Sequence, residues 1–206
     1  MFKPNRIILL DLIKKYSYLI KGIILDIGSG GYERYSYLFD AERYITLDII
    51  SDFKVDIVAN IYYLPFKENV IDGIICTQVL EHLEYPKSAL LEMKKVLKPQ
   101  GKILLSVPQT AQIHTDSDFF RFTDKGIESL LKDTGFKLLK IERIGKFFST
   151  LADVIMRYFI DKFGPKSIIL PFLSILPRLL MKLDKLDKTK ACSNLTIGWL
   201  IIASSS

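Results

Sequence analysis

The chain is poor in the residues that build disulfide frameworks and metal centres: 206 residues hold only two cysteines and two histidines. Cys76 and Cys192 are too few and too far apart for a stapled scaffold or a zinc cluster, so both are expected as small core residues in a reducing, cytoplasmic setting. Long apolar runs are also missing. Near the N-terminus only Ile7 to Leu10 is uninterrupted before Asp11, which suits neither a signal peptide nor a membrane span. Within residues 146–190 the longest uncharged stretch, Ser167 to Pro177, has 11 residues and contains two prolines, whereas about 20 are needed to cross a bilayer. No repeat and no Gly/Ser- or Pro-rich linker divides the sequence. A single domain over residues 1–206 is expected.

Apolar residues and charge are plentiful. With 49% hydrophobic and 25% charged residues, the chain is long enough to bury a sizeable core and does not read as disordered. The formal net charge is +6, and residues 146–190 carry nine Lys/Arg against four Asp/Glu. Nearly the whole imbalance lies in that late segment, where any anionic partner is expected to meet it.

Apolar spacing predicts alternating helices and strands. Asn5 is read as the cap of a helix with Ile8, Leu12, Tyr16 and Leu19 on one face and Gly22 as its stop. Strands follow at Ile23–Ile27, Tyr44–Leu47, Val55–Ala59 and Ile71–Thr77. Pro86 to Leu97 has helical spacing and ends at Lys98-Pro99-Gln100-Gly101, before a fifth strand at Lys102–Val107. A helix over Thr123–Thr134, a sixth strand over Lys137–Ile144 and a seventh over Asn194–Ala203 complete the pattern. Short apolar strands between helices predict an α/β fold with a mostly parallel sheet covered on both faces.

In such a sheet ligands bind beyond the carboxyl ends of the strands. "ILDIGSGG", residues 24–31, ends the first strand on glycines that let a ligand press against the main chain. Asp48 lies 22 residues beyond Asp26, close to the roughly 20-residue offset at which a carboxylate closing the second strand takes ribose hydroxyls. A dinucleotide site requires a third glycine at position 33, where Glu33 stands beside the would-be pyrophosphate, and no P-loop lysine follows. NAD, FAD and ATP are disfavoured; a nucleoside-bearing cofactor without a pyrophosphate remains.

These residues, with "LPFKENVIDGIICTQVLEHL" and "EMKKVLKPQGKILLSVP", resemble class I S-adenosylmethionine-dependent methyltransferases of the small-molecule type, over Ile23 to about Ile144, with Gly198–Ala203 similar to the family's last strand. "HTDSDFFRFTDKGIESLLKDTGF" resembles a subgroup found among surface-polysaccharide biosynthesis proteins. The resemblance implies a Rossmann-like three-layer sandwich around a seven-stranded sheet whose last strand is antiparallel, and S-adenosyl-L-methionine as cofactor. It also implies roles by position. Gly28, Ser29 and Gly30 face the methionine part of the cofactor, Asp26 its ammonium and Asp48 its ribose. Asn60 and Ile61 flank adenine, and Cys76 and Thr77 line the floor. Asn60 stands where the family often has an acidic residue; an amide oxygen still accepts a hydrogen bond from the adenine amino group.

A sulfonium already makes its methyl group electrophilic, so the protein need only align a nucleophile and exclude water. For an oxygen acceptor a general base helps. His114, beyond the fifth strand with Asp116 and Asp118 close behind, is the candidate; a solvent-facing or structural role is its alternative. Arg121 either clamps an anionic group of the acceptor or pairs with Asp118 to hold its own loop, and both are kept as substrate-side candidates. Glu81 and His82 read first as residues that pin the turn after the fourth strand. Gln78, Glu81, His82 and His114 also resemble the metal set of some RNA ribose methyltransferases, but glutamine replaces a carboxylate that a hard cation favours, and no metal is assigned. Thr123 is read as a helix cap.

Residues 146–190 form a basic, apolar insertion between the last two strands, read as a lid over the acceptor pocket, a homodimer face or a surface resting on anionic membrane. The expected function is methyl transfer to an oxygen of a small-molecule or glycan acceptor. An inactive cofactor-binding module, an NAD-dependent oxidoreductase and a metal-assisted RNA methyltransferase are the alternatives; a nucleic-acid partner is not expected.

Overall fold

The computed structural model describes residues 2–31, 33–52, 54–113 and 116–205. Helix α1 (Pro4–Tyr16) begins at proline, whose fixed φ and missing N–H suit a first helical turn, so Lys3 rather than Asn5 is the N-cap. The helix tightens into a 3-10 turn at Ser17–Leu19. Gly22 is therefore not its stop. It lies inside strand β1 (Lys21–Ile27) at φ 80°, where the register against the next strand shifts.

Strands β2 (Asp40–Asp48), β3 (Ile57–Val58) and β4 (Ile71–Thr77) follow. Among the described residues the links between them carry no α-helix, only a 3-10 turn at Ser36–Leu38. Helix α2 (Pro86–Val96) again starts on proline and leads directly into β5 (Leu97–Pro108). The Lys98–Gly101 stretch, expected as a turn outside the strand, is instead an irregularity within it. Gln100 takes φ 61°, and the pairing with β4 jumps from Ile71↔Leu97 to Gly73↔Lys102. Helix α3 (Asp124–Asp133) is capped by the Thr123 hydroxyl, which accepts the Gly126 N–H at 3.0 Å. Strand β6 (Phe136–Ile144) is followed by helices α4 (Phe147–Phe163), α5 (Leu170–Leu173), α6 (Ile175–Leu186) and α7 (Lys190–Ser193), and then by β7 (Gly198–Ser205). Strand β7 starts later than expected: residues 194–197 connect it to α7, with the Thr196 hydroxyl donating to the Gly145 carbonyl at 2.9 Å.

The seven strands form one sheet in the order β3-β2-β1-β4-β5-β7-β6. Strands β1 to β5 pair in parallel, and β7 enters between β5 and β6 antiparallel to both. Alternation along the strands sends Leu25, Ile74 and Leu105 into one core with Leu90 and Met93 of α2 and Ile127 and Leu131 of α3. Ile24, Ile75 and Leu104 face the opposite core with Leu9, Ile13 and Tyr16 of α1. Helix, sheet and helix make three layers, and ligand-accessible backbone is left at the carboxyl edge of the parallel strands.

Candidate cofactor and acceptor site

Parallel pairing in the order β3-β2-β1-β4 brings four strand ends to a common edge. The glycine loop turns sharply off β1 because Gly28 and Gly30 adopt φ 74° and 66°, in the left-handed region that residues with a Cβ avoid. The Gly28 and Ser29 N–H groups donate to the Leu47 carbonyl at 2.8 and 3.3 Å, and the Gly30 N–H to Asp48 Oδ2 at 2.9 Å. Asp48 Oδ1 accepts the Ile50 N–H at 3.1 Å. This buried carboxylate thus ties the loop to β2 and keeps lone pairs for further donors. A Cβ on Gly28 would fall 2.3 Å from Cγ2 of Val79. Close packing of the loop on the β4 side is therefore a reason for glycine there, independent of any ligand.

Asp26 is buried in the sheet, and burial pushes its carboxyl up to about 7 even though the Tyr44 hydroxyl donates to it at 2.8 Å and the Arg34 charge lies near. A cation brought to Asp26 would recover the negative charge that burial suppresses. Ser29 Oγ is buried with no hydrogen-bond partner. Buried hydroxyls are ordinarily satisfied, so this one points to a missing ligand. Asn60 lies exposed beyond β3, where its Oδ1 accepts the Tyr62 N–H at 3.0 Å, and Ile61 beside it is buried. The Cys76 side chain is packed within the core shared with α2 and α3, and burial raises its thiol well above the ordinary range. Thr77 reaches the cavity next to it.

That cavity, about 620 Å³, opens beyond β4 and β5. Thr77 and Glu81 line it from the β4 end, Pro108 and Gln112 from the β5 end, Arg6 from α1 and Arg157 from α4. Gln78 enters at φ 57°, a strained backbone for glutamine, with its amide donating to Ser106 Oγ at 3.2 Å. The 3-10 turn Leu80–His82 then buries Glu81 to 1% exposure. His82 Nδ1 lies 3.0 Å from the Ser117 carbonyl. Asp118 and Arg121 pair with each other, one contact at 2.7 Å, and the same guanidinium donates to the carbonyls of Ala111, Gln112 and Phe120. These bonds hold the β5–α3 loop, and neither residue is among those lining the cavity. His114 lies outside the described residues.

Sequence patterns gave no notice of what holds α4 over this cavity. The orphan N–H groups at its start, from Lys146, Phe148 and Ser149, donate to Asp184 of α6 at 2.9 to 3.2 Å. Asp153, buried on α4, accepts the Asn5 N–H of α1 at 3.3 Å and pairs with Arg157 at 2.6 Å. Asp184 reaches back to the start of α4 and Asp153 across to α1, contacts that no local spacing marks, although the Asp153–Arg157 pair is a local i,i+4 one.

Residues 25–105 match the family described as a methyltransferase domain. An uncharacterized protein of Methanocaldococcus jannaschii is 37% identical over 102 residues, 47% of this chain and 45% of that protein. The chain thus spans under half the length of the curated relatives it matches. Among solved structures, a methyltransferase candidate from Bacillus halodurans superposes with TM-score 0.64 at 15% identity, covering 95% of this chain and 98% of that one. The 1,6-didemethyltoxoflavin-N1-methyltransferase of Burkholderia thailandensis, solved with its substrate and S-adenosylhomocysteine, gives 0.60 at 13% identity, covering 98% of this chain and 78% of that one.

Proposed function

We propose that this chain, whose fold is that of the class I S-adenosylmethionine-dependent methyltransferases, transfers a methyl group to an oxygen of a small-molecule or glycan acceptor. One observation carries the reading. The glycine turn, the buried Asp26 and Asp48, and the unsatisfied Ser29 hydroxyl converge at one sheet edge beside a cavity of about 620 Å³. Ser29 Oγ lacks a hydrogen-bond partner, Asp26 suits an ammonium, and Asp48 suits a ribose diol, so the residues present fit S-adenosyl-L-methionine. When bound, it supplies an electrophilic methyl on sulfonium sulfur.

The chain's own part is to bind, orient and exclude water. Gly28–Gly30 offers main chain at close range, with Asp48 holding the loop. Helix α4 roofs the acceptor side through Met156 and Ile160, which fits the lid reading of the insertion. Calorimetry with S-adenosylmethionine, S-adenosylhomocysteine and NAD, followed by measurement of S-adenosylhomocysteine release over a panel of hydroxyl acceptors, tests this. Binding without release across the panel would favour the inactive module; preferential NAD binding would revive the oxidoreductase.

A weak membrane contact is the second part of the reading. On α5 and α6, Phe172, Ile175, Leu176, Leu179, Leu183 and Leu186 are solvent-facing at helical spacing, flanked by exposed Lys182, Lys185 and Lys188. Among the described residues no helix is long and apolar enough to cross a membrane. An amphipathic face resting on anionic lipid suits this surface, each basic residue near the membrane adding about 1 kcal/mol. Changing the three lysines to glutamine is expected to abolish co-sedimentation with anionic liposomes at low salt. Equal, negligible binding of the intact chain in every condition would discard the membrane contact and leave the methyl-transfer reading standing.

A further inference from the structure

Glu81 is the described charged side chain that the fold leaves least accounted for. It is 1% exposed, it lines the acceptor cavity, and its Oε2 is buried without any hydrogen-bond partner. An unsatisfied buried carboxylate oxygen costs stability, and folds retain one where a ligand completes it. The surroundings hold it there firmly. Its backbone carbonyl accepts the Phe119 and Phe120 N–H groups at 2.8 and 3.2 Å, locking the turn to the β5–α3 loop. Gln78, three residues earlier, takes the strained φ of 57° from which the turn starts.

We propose that Glu81 is the catalytic base of the acceptor site: its Oε2 receives the hydrogen bond of the acceptor hydroxyl and then its proton. The inference rests on the methyl-transfer reading and deepens it. As the acceptor oxygen bonds to the methyl carbon, the carbon–sulfur bond breaks and its electron pair stays on sulfur, which becomes a neutral thioether. The hydroxyl proton passes to Glu81 and then to solvent, so charge and atoms balance.

The electrostatics suit this role. Burial is the largest influence on Glu81 and, with Asp118 behind it, outweighs its own backbone N–H and the Arg121 guanidinium, pushing the carboxyl up to about 7. A base near neutral pH both takes a proton and gives it up readily. The other charged groups facing the region are His82 on the same turn, Arg6 and Lys3 at α1, Arg34 beyond β1, and Asp153, Arg157 and Asp161 on α4. The Cys76 thiol lies close enough on β4 to feel the Glu81 charge.

The experiment compares the full chain with Glu81→Gln and Glu81→Met in thermal melts at pH 8 and pH 5, in calorimetry with S-adenosylmethionine, and in S-adenosylhomocysteine release with methyl glycosides and sugar phosphates as probes. The native Glu81 carboxyl titrates above its unfolded value, so its ionisation disfavours the fold increasingly as pH rises from about 4.5 to about 7. Both variants are therefore expected to melt at or above the wild-type temperature at pH 8, with the gap narrowing at pH 5. Cofactor affinity should stay within about twofold, while kcat falls by about 100-fold or more. Wild-type release should decline below about pH 7, and residual Glu81→Gln release should lose that limb. Variants melting several degrees lower at pH 8, or a fully active Glu81→Gln protein, would overturn the base role alone. A wild type that binds the cofactor and converts none of the probes would overturn the transfer reading, and this inference with it.

Discussion

The two halves of the cleft are built in opposite ways. On the β1–β2 side, contacts are made mainly by the main chain: loop N–H groups find Leu47 and Asp48, and among the side chains the Ser29 hydroxyl is left open. On the acceptor side, side chains from α1, the β4 and β5 ends and α4 meet across long sequence separations, and one of them, Glu81, is left open. A site that receives one unchanging nucleoside is served by rigid backbone, whose geometry survives side-chain drift. A site for a particular acceptor is written in side chains, which vary without disturbing the sheet.

The largest expected effect breaks the backbone half. Gly28→Val must find room 2.3 Å from Val79 Cγ2 in a left-handed conformation, and is expected to cost roughly 3 kcal/mol or more of stability together with cofactor binding. Chemical denaturation measures it, and the double variant with Val79→Ala should recover part of the packing cost but not the backbone strain. If Gly28→Val melts and binds like wild type, the cradle is not a rigid element.

Asp48→Ala comes next. It removes the acceptor of two loop N–H groups and the proposed ribose contact, and should weaken S-adenosylmethionine binding by about 1 to 3 kcal/mol. Unchanged affinity by calorimetry would take Asp48 out of the site.

Asp26 sharpens the comparison through pH. Its carboxyl, raised to about 7 by burial, is charged above that pH and protonated below it. Cofactor affinity should therefore fall as pH drops through 7, by up to about tenfold per unit. Stability of the unliganded chain should move the other way: the cost of ionising Asp26 is absent below about 4 and complete above about 7. Asp26→Asn should flatten its share of both profiles, and an unchanged affinity profile in that variant would place the titration elsewhere.

The smallest effect tests the acceptor half. Asp184→Ala should cost about 1 to 2 kcal/mol by stripping the N-terminal turn of α4 of its acceptor, with cofactor affinity unaltered. A parallel loss of cofactor binding would mean that the two halves are not separable.

Much of the fold was legible because its signals are local. The strand at Ile71–Thr77 is found with the expected bounds, since its short apolar stretch, Ile71 and Ile74–Cys76, is too brief for a helix. Asn5 misled because a capping side chain and a proline at the first helical position compete within two residues, and the proline defines the start. The break at Lys98–Gly101 misled because backbone irregularity can be absorbed inside a paired strand, and pairing is a long-range property.

By itself the sequence determined the α/β class and the glycine turn with its carboxylate partner on the next strand, and it disfavoured a pyrophosphate cofactor, because each depends on residues a few positions apart or on one strand's length. Only the tertiary structure decided which side chains line the cavity. Glu81 reads as a turn residue until the fold buries it beside the β5–α3 loop, Arg121 as a possible clamp until Asp118 and the surrounding carbonyls take up its donors. Burial and satisfaction of hydrogen bonds are sums over neighbours distant in the chain, and no periodicity in one dimension records them.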